Sequence, residues 1–156
     1  MATYKLKKWY FPQPYDQVIE SLWEKTKRQH RVVVINGNHK PIHPHQELYS
    51  HRIEVTTQLA KARMVDLFGR NWEKWYSRES WWLPYFKHRK GLLSVYQGTC
   101  QSKLDVLSQY HFCLCFENMQ MLGYITEKIF DCLYAGTIPI YWGAKDIKDW
   151  IPSDIS

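Results

Sequence analysis

The chain has 156 residues, a formal net charge of +6, a pI near 9.1, and 45% hydrophobic against 23% charged residues. That is the length of one domain, able to bury roughly 70% of its unfolded surface, with a composition that excludes the disordered and fibrous classes. The basic balance favours an anionic partner without separating nucleotide, nucleic acid and membrane surface; no apolar run is long enough to span a bilayer, and the N-terminus lacks a signal-peptide core.

Residues 1–15 mix aromatics, Lys and Pro and read as a tether. Residues 16–29 read as a helix, with Val18, Ile19, Leu22 and Trp23 apolar and Asp16 near the start. The run Arg31 to Asn36 (RVVVIN) is continuously apolar, as expected of a strand buried on both faces. Residues 46–63 read as a helix and 65–68 as a short strand ending at Gly69. Residues 71–89 show no period and crowd Trp72, Trp75, Trp81, Trp82, Tyr85 and Phe86 among charges. Residues 92–96 read as a further short strand, 102–110 as a helix, 111–116 as a strand, 126–134 as a helix and 137–142 as a strand. A last helix begins at Lys145 and is interrupted by Pro152. Strands alternating with helices predict an α/β fold with a doubly wound, parallel sheet.

Cys100, Cys113, Cys115 and Cys132 fit neither a zinc frame nor a disulfide scaffold and read as small buried hydrophobes. His39, His43 and His45 could hold a metal. The loop offers no Cys and no carboxylate before Glu47, so a polar loop near a cleft mouth is the better reading. The Trp-rich segment is expected to present an apolar face to a missing domain or a partner chain, with exposed Trp as its sign.

The most informative stretch is 112–143, FCLCFENMQMLGYITEKIFDCLYAGTIPIYWG. Its polar residues Glu117, Asn118, Tyr124, Glu127 and Lys128 fall in the loop or at the helix start, where open α/β sheets bind ligands. Thr126 is placed to cap the helix, and Gly136 with Pro139 to stop it and restart the chain. Glu127 suits the positive helix end without any function. Lys128 opposes that dipole, a penalty that a bound anion such as phosphate would reverse. A carboxylate here could also accept the two hydroxyls of a ribose. Glu117 is left unassigned, and Asp131 reads as a helix-face charge.

FEN, YITEK and AGTIPIYWG, in that order, resemble the signature of the family 10 glycosyltransferases, the α-1,3/4-fucosyltransferases. VVVIN, ELYSHRIE, VDLFGRNW and VYQGTCQSKLDVLSQYHFCLCFEN are similar to further family motifs, so the resemblance runs from about Arg31 to Trp150. The IPIYWG form is most similar to bacterial members. The resemblance implies a Rossmann-like domain, the donor half of a GT-B enzyme that transfers L-fucose from GDP-fucose to a hydroxyl of an acceptor glycan. Residues 1–30 would be an N-terminal tether and helix, and 31–156 the nucleotide-sugar domain, truncated at both ends relative to the full enzyme. Carried over, Arg52 and Lys128 stabilise the diphosphate, Glu127 holds the ribose, and Asn118 and Tyr124 line the donor pocket. The general base is expected outside this chain, on the acceptor domain, and no metal or other cofactor is expected. The chain alone is expected to bind GDP and be largely inactive. A cytoplasmic place follows, with the full protein able to lie peripherally on the inner membrane face, and no nucleic-acid partner. The alternative is a non-catalytic basic and aromatic module that binds glycan or nucleic acid.

Overall fold

The apolar runs of the sequence become four parallel strands in a computed structural model, which describes residues 15, 17–42, 45–74 and 82–151. They are β1 (Gln29–Ile35), β2 (Val65–Phe68), β3 (Tyr110–Phe116) and β4 (Ile138–Trp142), ordered β2-β1-β3-β4. Asp66, Val33, Cys113 and Pro139 stand in one row across the sheet. Val32 and Val34 point into one apolar layer and Val33 into the other, so β1 is buried on both faces.

The helices are α1 (Glu20–Trp23), α2 (Tyr49–Lys61), α3 (Leu83–Leu93), α4 (Lys103–Leu107) and α5 (Glu127–Tyr134), followed by a 3-10 turn at Ile147–Asp149. The layer holding α2 and α3 buries Ile53, Ala60, Tyr85 and Leu92 against Val32, Val34, Leu114 and Phe116. The layer holding α4 and α5 buries Leu107, Ile129 and Cys132 against Val33, Cys113 and Cys115. α5 ends in a left-handed Gly136 (φ 67°), with Thr137 N–H donating to the Cys132 carbonyl at 2.8 Å and Gly136 N–H to that of Leu133 at 3.2 Å, which satisfies the last carbonyls. No helix among the described residues is long and apolar enough to cross a membrane.

Several elements differ from the sequence reading. The helix expected over 16–29 is a single turn, α1, and Gln29 already belongs to β1. Arg28 gathers the carbonyls of Leu22, Tyr110 and Ala135, holding the chain extended there. The strand expected over 92–96 is one parallel bridge, Leu67 to Tyr96, because Leu92 and Leu93 complete the last turn of α3. Trp72 and Trp82 are 3% and 8% exposed in the α2–α3 layer, so these two form core rather than a docking face. Residues 1–14, Asp16, His43, Trp75, Trp81 and Pro152 lie outside the described residues.

The order of the strands fixes where a ligand can enter. From β1 the chain goes outward to β2, then returns to place β3 on the other side. The carboxyl ends of β1 and β3 therefore flank the topological switch point. Gly69 closes β2 there at φ 141°, and a Cβ on it would stand 2.0 Å from the Asn36 carbonyl oxygen. Gly69→Ala should therefore lower stability by about 2 kcal/mol or more. Urea unfolding should show this as a lower midpoint at unchanged slope; an unchanged midpoint would mean that the turn relaxes freely.

Candidate functional site

Beyond the carboxyl ends of β1 and β2, a cleft of about 310 Å³ opens above Ile35, Asn36, Gly37 and Gly69. Arg70, Lys103 and Glu127 bring charge to its walls, beside His39 and Cys100. Its size is at the lower end for a small-molecule site. The glycine backbone at 37 and 69 keeps two of its walls low, and α4 and α5 direct Lys103 and Glu127 toward it.

Glu127 and Lys128 open α5, as the sequence predicts, but Thr126 does not cap it through its side chain. Its hydroxyl donates instead to Glu117 Oε2 at 2.7 Å, and its N–H to Glu117 Oε1 at 2.8 Å. Lys128 Nζ donates to Glu117 Oε2 at 3.1 Å and to Thr126 Oγ1 at 2.9 Å. The Glu117 side chain is 0% exposed. Glycine at 143 makes the room, since a Cβ there would stand 2.5 Å from Glu117 Cγ.

Arg52 meets the same residue from the other layer. Sequence alone makes it a surface residue of a helix, yet it is 3% exposed. Its Nη2 donates to the carbonyls of Phe116 at 2.7 Å and Glu117 at 3.0 Å, where β3 runs out. Its Nε is buried without a hydrogen-bond partner. Burial pushes its pKa down to about 10, with Tyr49 and Glu117 opposing. The Tyr49 ring lies 5.3 Å below the guanidinium. Two contacts strap α2 to this corner: Leu48 N–H donates to the Asn118 carbonyl at 3.1 Å and Gln120 N–H to that of Gln46 at 2.8 Å. Asn118 and Tyr124 are part-buried beside Glu117, and burial, then Glu117, push the Tyr124 phenol up.

The predicted set is thus split between two adjoining places. Glu127 stands on the cleft wall, whereas Arg52 and Lys128 both engage Glu117, one through its carbonyl and one through its carboxylate. An ion-pair chain joins the two places. Lys128 and Lys103 both lie 3.8 Å from Glu127 Oε1, and Lys103 Nζ lies 2.6 Å from Asp131 Oδ2. Asp131 is therefore a buried partner of Lys103 and not a helix-face charge. Sequence reasoning also missed Lys103, Arg70 and Cys100 at the cleft. Lys103 lies in the SKLDVLSQY run, but nothing in its spacing reveals that α4 packs against α5. Among the described residues, no group of three or more His, Cys, Asp or Glu side chains could hold a metal ion.

Residues 24–155 match the family model described as glycosyltransferase family 10 (fucosyltransferase) C-term. Alpha-(1,3)-fucosyltransferase FucT of Helicobacter pylori is 55% identical over 53 residues, 33% of this chain and 11% of that protein. GDP-fucose protein O-fucosyltransferase 3 of Xenopus laevis is 47% identical over 51 residues, again 33% and 11%. A crystal structure of an alpha1,3-fucosyltransferase superposes with a TM-score of 0.50 and 29% identity, covering 78% of this chain and 26% of that one. The matches therefore span only 11% of these curated relatives' length.

The charge pattern has a consequence for acid stability. Burial pushes the Glu127 carboxyl up, but Lys128 and then Lys103 outweigh it, and the net value lies below that of an ordinary glutamate. A carboxylate depressed in this way stabilises the fold above its unfolded pKa and loses that contribution as pH falls through the folded one. Between about pH 5 and about pH 3 the melting temperature of Glu127→Gln should therefore fall less than that of the wild type. Parallel acid limbs would show that the two lysines do not hold this carboxylate.

Proposed function

Since the chain belongs to glycosyltransferase family 10 (fucosyltransferase), matching its C-terminal domain, we propose that it binds GDP-fucose as the donor half of an inverting α-1,3-fucosyltransferase of GT-B arrangement. The observation that carries this is the cleft beyond the carboxyl ends of β1 and β2, with Glu127 on its wall and the two lysines beside that carboxylate. The names of the two relatives support it: one is an α-1,3-fucosyltransferase and the other uses GDP-fucose.

In this reading the Glu127 carboxylate, 44% exposed, accepts the ribose hydroxyls. Lys128 and Arg52 take the diphosphate, with Asn118 and Tyr124 lining the pocket. The unpartnered Nε of Arg52 supports this role, because a buried guanidinium edge costs free energy until an acceptor reaches it. The acceptor glycan and the general base belong to a further domain. The acceptor hydroxyl attacks the anomeric carbon of the β-linked fucose as GDP departs, inverting that centre. Negative charge grows on the leaving phosphate, and preorganised cations stabilise it as it develops. Two cations can do this without a metal, so the proposal includes none.

Calorimetry and thermal shift test the reading. GDP should raise the melting temperature, with GMP weaker and UDP weaker still, because a ligand stabilises only the native state it binds. Lys128→Ala should weaken GDP about tenfold, the loss of one charge-assisted bond of about 1.4 kcal/mol. Unchanged affinity would remove Lys128 from the site. Stabilisation by glycan or oligonucleotide with none by GDP would support a non-catalytic binding module instead.

A further inference from the structure

We propose that Glu117 is a positioning residue for the donor diphosphate, fixing the direction of the Lys128 ammonium through its buried carboxylate. The inference deepens the donor reading above and rests on it. Three donors converge on this one carboxylate: Thr126 N–H, Thr126 Oγ1–H and Lys128 Nζ. The same residue's carbonyl takes Arg52 Nη2 at 3.0 Å, and its N–H donates to the Trp142 carbonyl at 2.8 Å. Glu117 is therefore fixed by β4, by α2 and by the start of α5 at once. Among the donors to the carboxylate, Lys128 is the one on a long flexible stem, and its side chain is 12% exposed. Its direction is set by Glu117 and the Thr126 hydroxyl together.

The inventory of donors and acceptors decides what a neutral replacement does. A carboxylate offers acceptors only, enough for all three donors; a carboxamide of the same shape offers one acceptor oxygen and adds two donors. Thr126 N–H cannot leave, because the backbone fixes it. The Thr126 hydroxyl can rotate to accept. The ammonium faces a donor and has Glu127 Oε1, 3.8 Å away, and solvent as its alternatives, so it swings away. Rigid-site geometry of this kind depends on the residue behind the contacting one.

A core group that merely stabilises the fold would affect every ligand contact alike. A positioning residue acts only while Lys128 is present, so a double-mutant cycle separates the two. GDP affinity is measured by calorimetry on the 156-residue chain and on Glu117→Gln, Lys128→Ala and the double variant. The expected result is about a tenfold loss in Glu117→Gln and less than a twofold further loss when it is added to Lys128→Ala. If Glu117→Gln does not fold, Thr126→Val is measured alone and in the Lys128→Ala background. It removes the hydroxyl between the two groups and should cost about threefold, again only where Lys128 is present. Affinity unchanged in Glu117→Gln, or an equal loss with and without Lys128, would overturn the assignment while leaving the donor reading standing. A wild-type chain that does not bind GDP would overturn both.

Discussion

A carboxylate with no access to solvent stands where β3 ends, and three parts of the chain are arranged around it. Isolated, such a charge would cost far more than a domain of this size can spare. Thr126 and Lys128 satisfy it from α5, and Arg52 lies across its backbone from α2. The position of α5 therefore follows from an electrostatic demand as well as from apolar burial of Ile129 and Cys132. A glycine at 143 is the steric counterpart, since only a residue without Cβ leaves Glu117 its space.

Function follows from the same corner. The cleft lies beyond the carboxyl ends of β1 and β2, and the ion-pair chain from Lys128 through Glu127 and Lys103 to Asp131 sets the charge along its wall. Before any ligand arrives Lys103 and Lys128 are already paired with carboxylates, so these two cations are in place when the site is empty. An incoming anion shares partners that are in place instead of creating order from a disordered set, which lowers the ordering cost of binding.

How much of this was legible in the sequence varies with the physics behind each element. The two buried strands were visible because burial on both faces forces continuous apolar runs, and β1 and β3 fall within two residues of RVVVIN and HFCLCF. α5 was visible through its start at Thr126 and its Gly136 stop. The run LLSVY was misread because two leucines suit a strand and a helix end equally, and local sequence does not reveal that Leu92 is buried under α2. Glu127 and Lys128 were found through their place at a helix start. Glu117 was singled out without a role and Lys103 not at all, since what they do depends on partners 9 to 28 residues away in sequence. Arg52 carried a family resemblance that marked it, yet its burial beneath two carbonyls has no local signal at all.

The last strand carries a consequence of its own. β4 is outermost in the sheet among the described residues, with Ile138 and Ile140 exposed at 55% and 42% beside Phe112 at 38%. Pro139 is tolerated there because an outermost strand has one side without a ladder. An open backbone margin beside a greasy stripe is also a template for adhesion between molecules. Concentrated solutions of this polypeptide should cluster through that margin, and added sulfate, which screens charge and strengthens apolar adhesion, should promote the clustering instead of dispersing it.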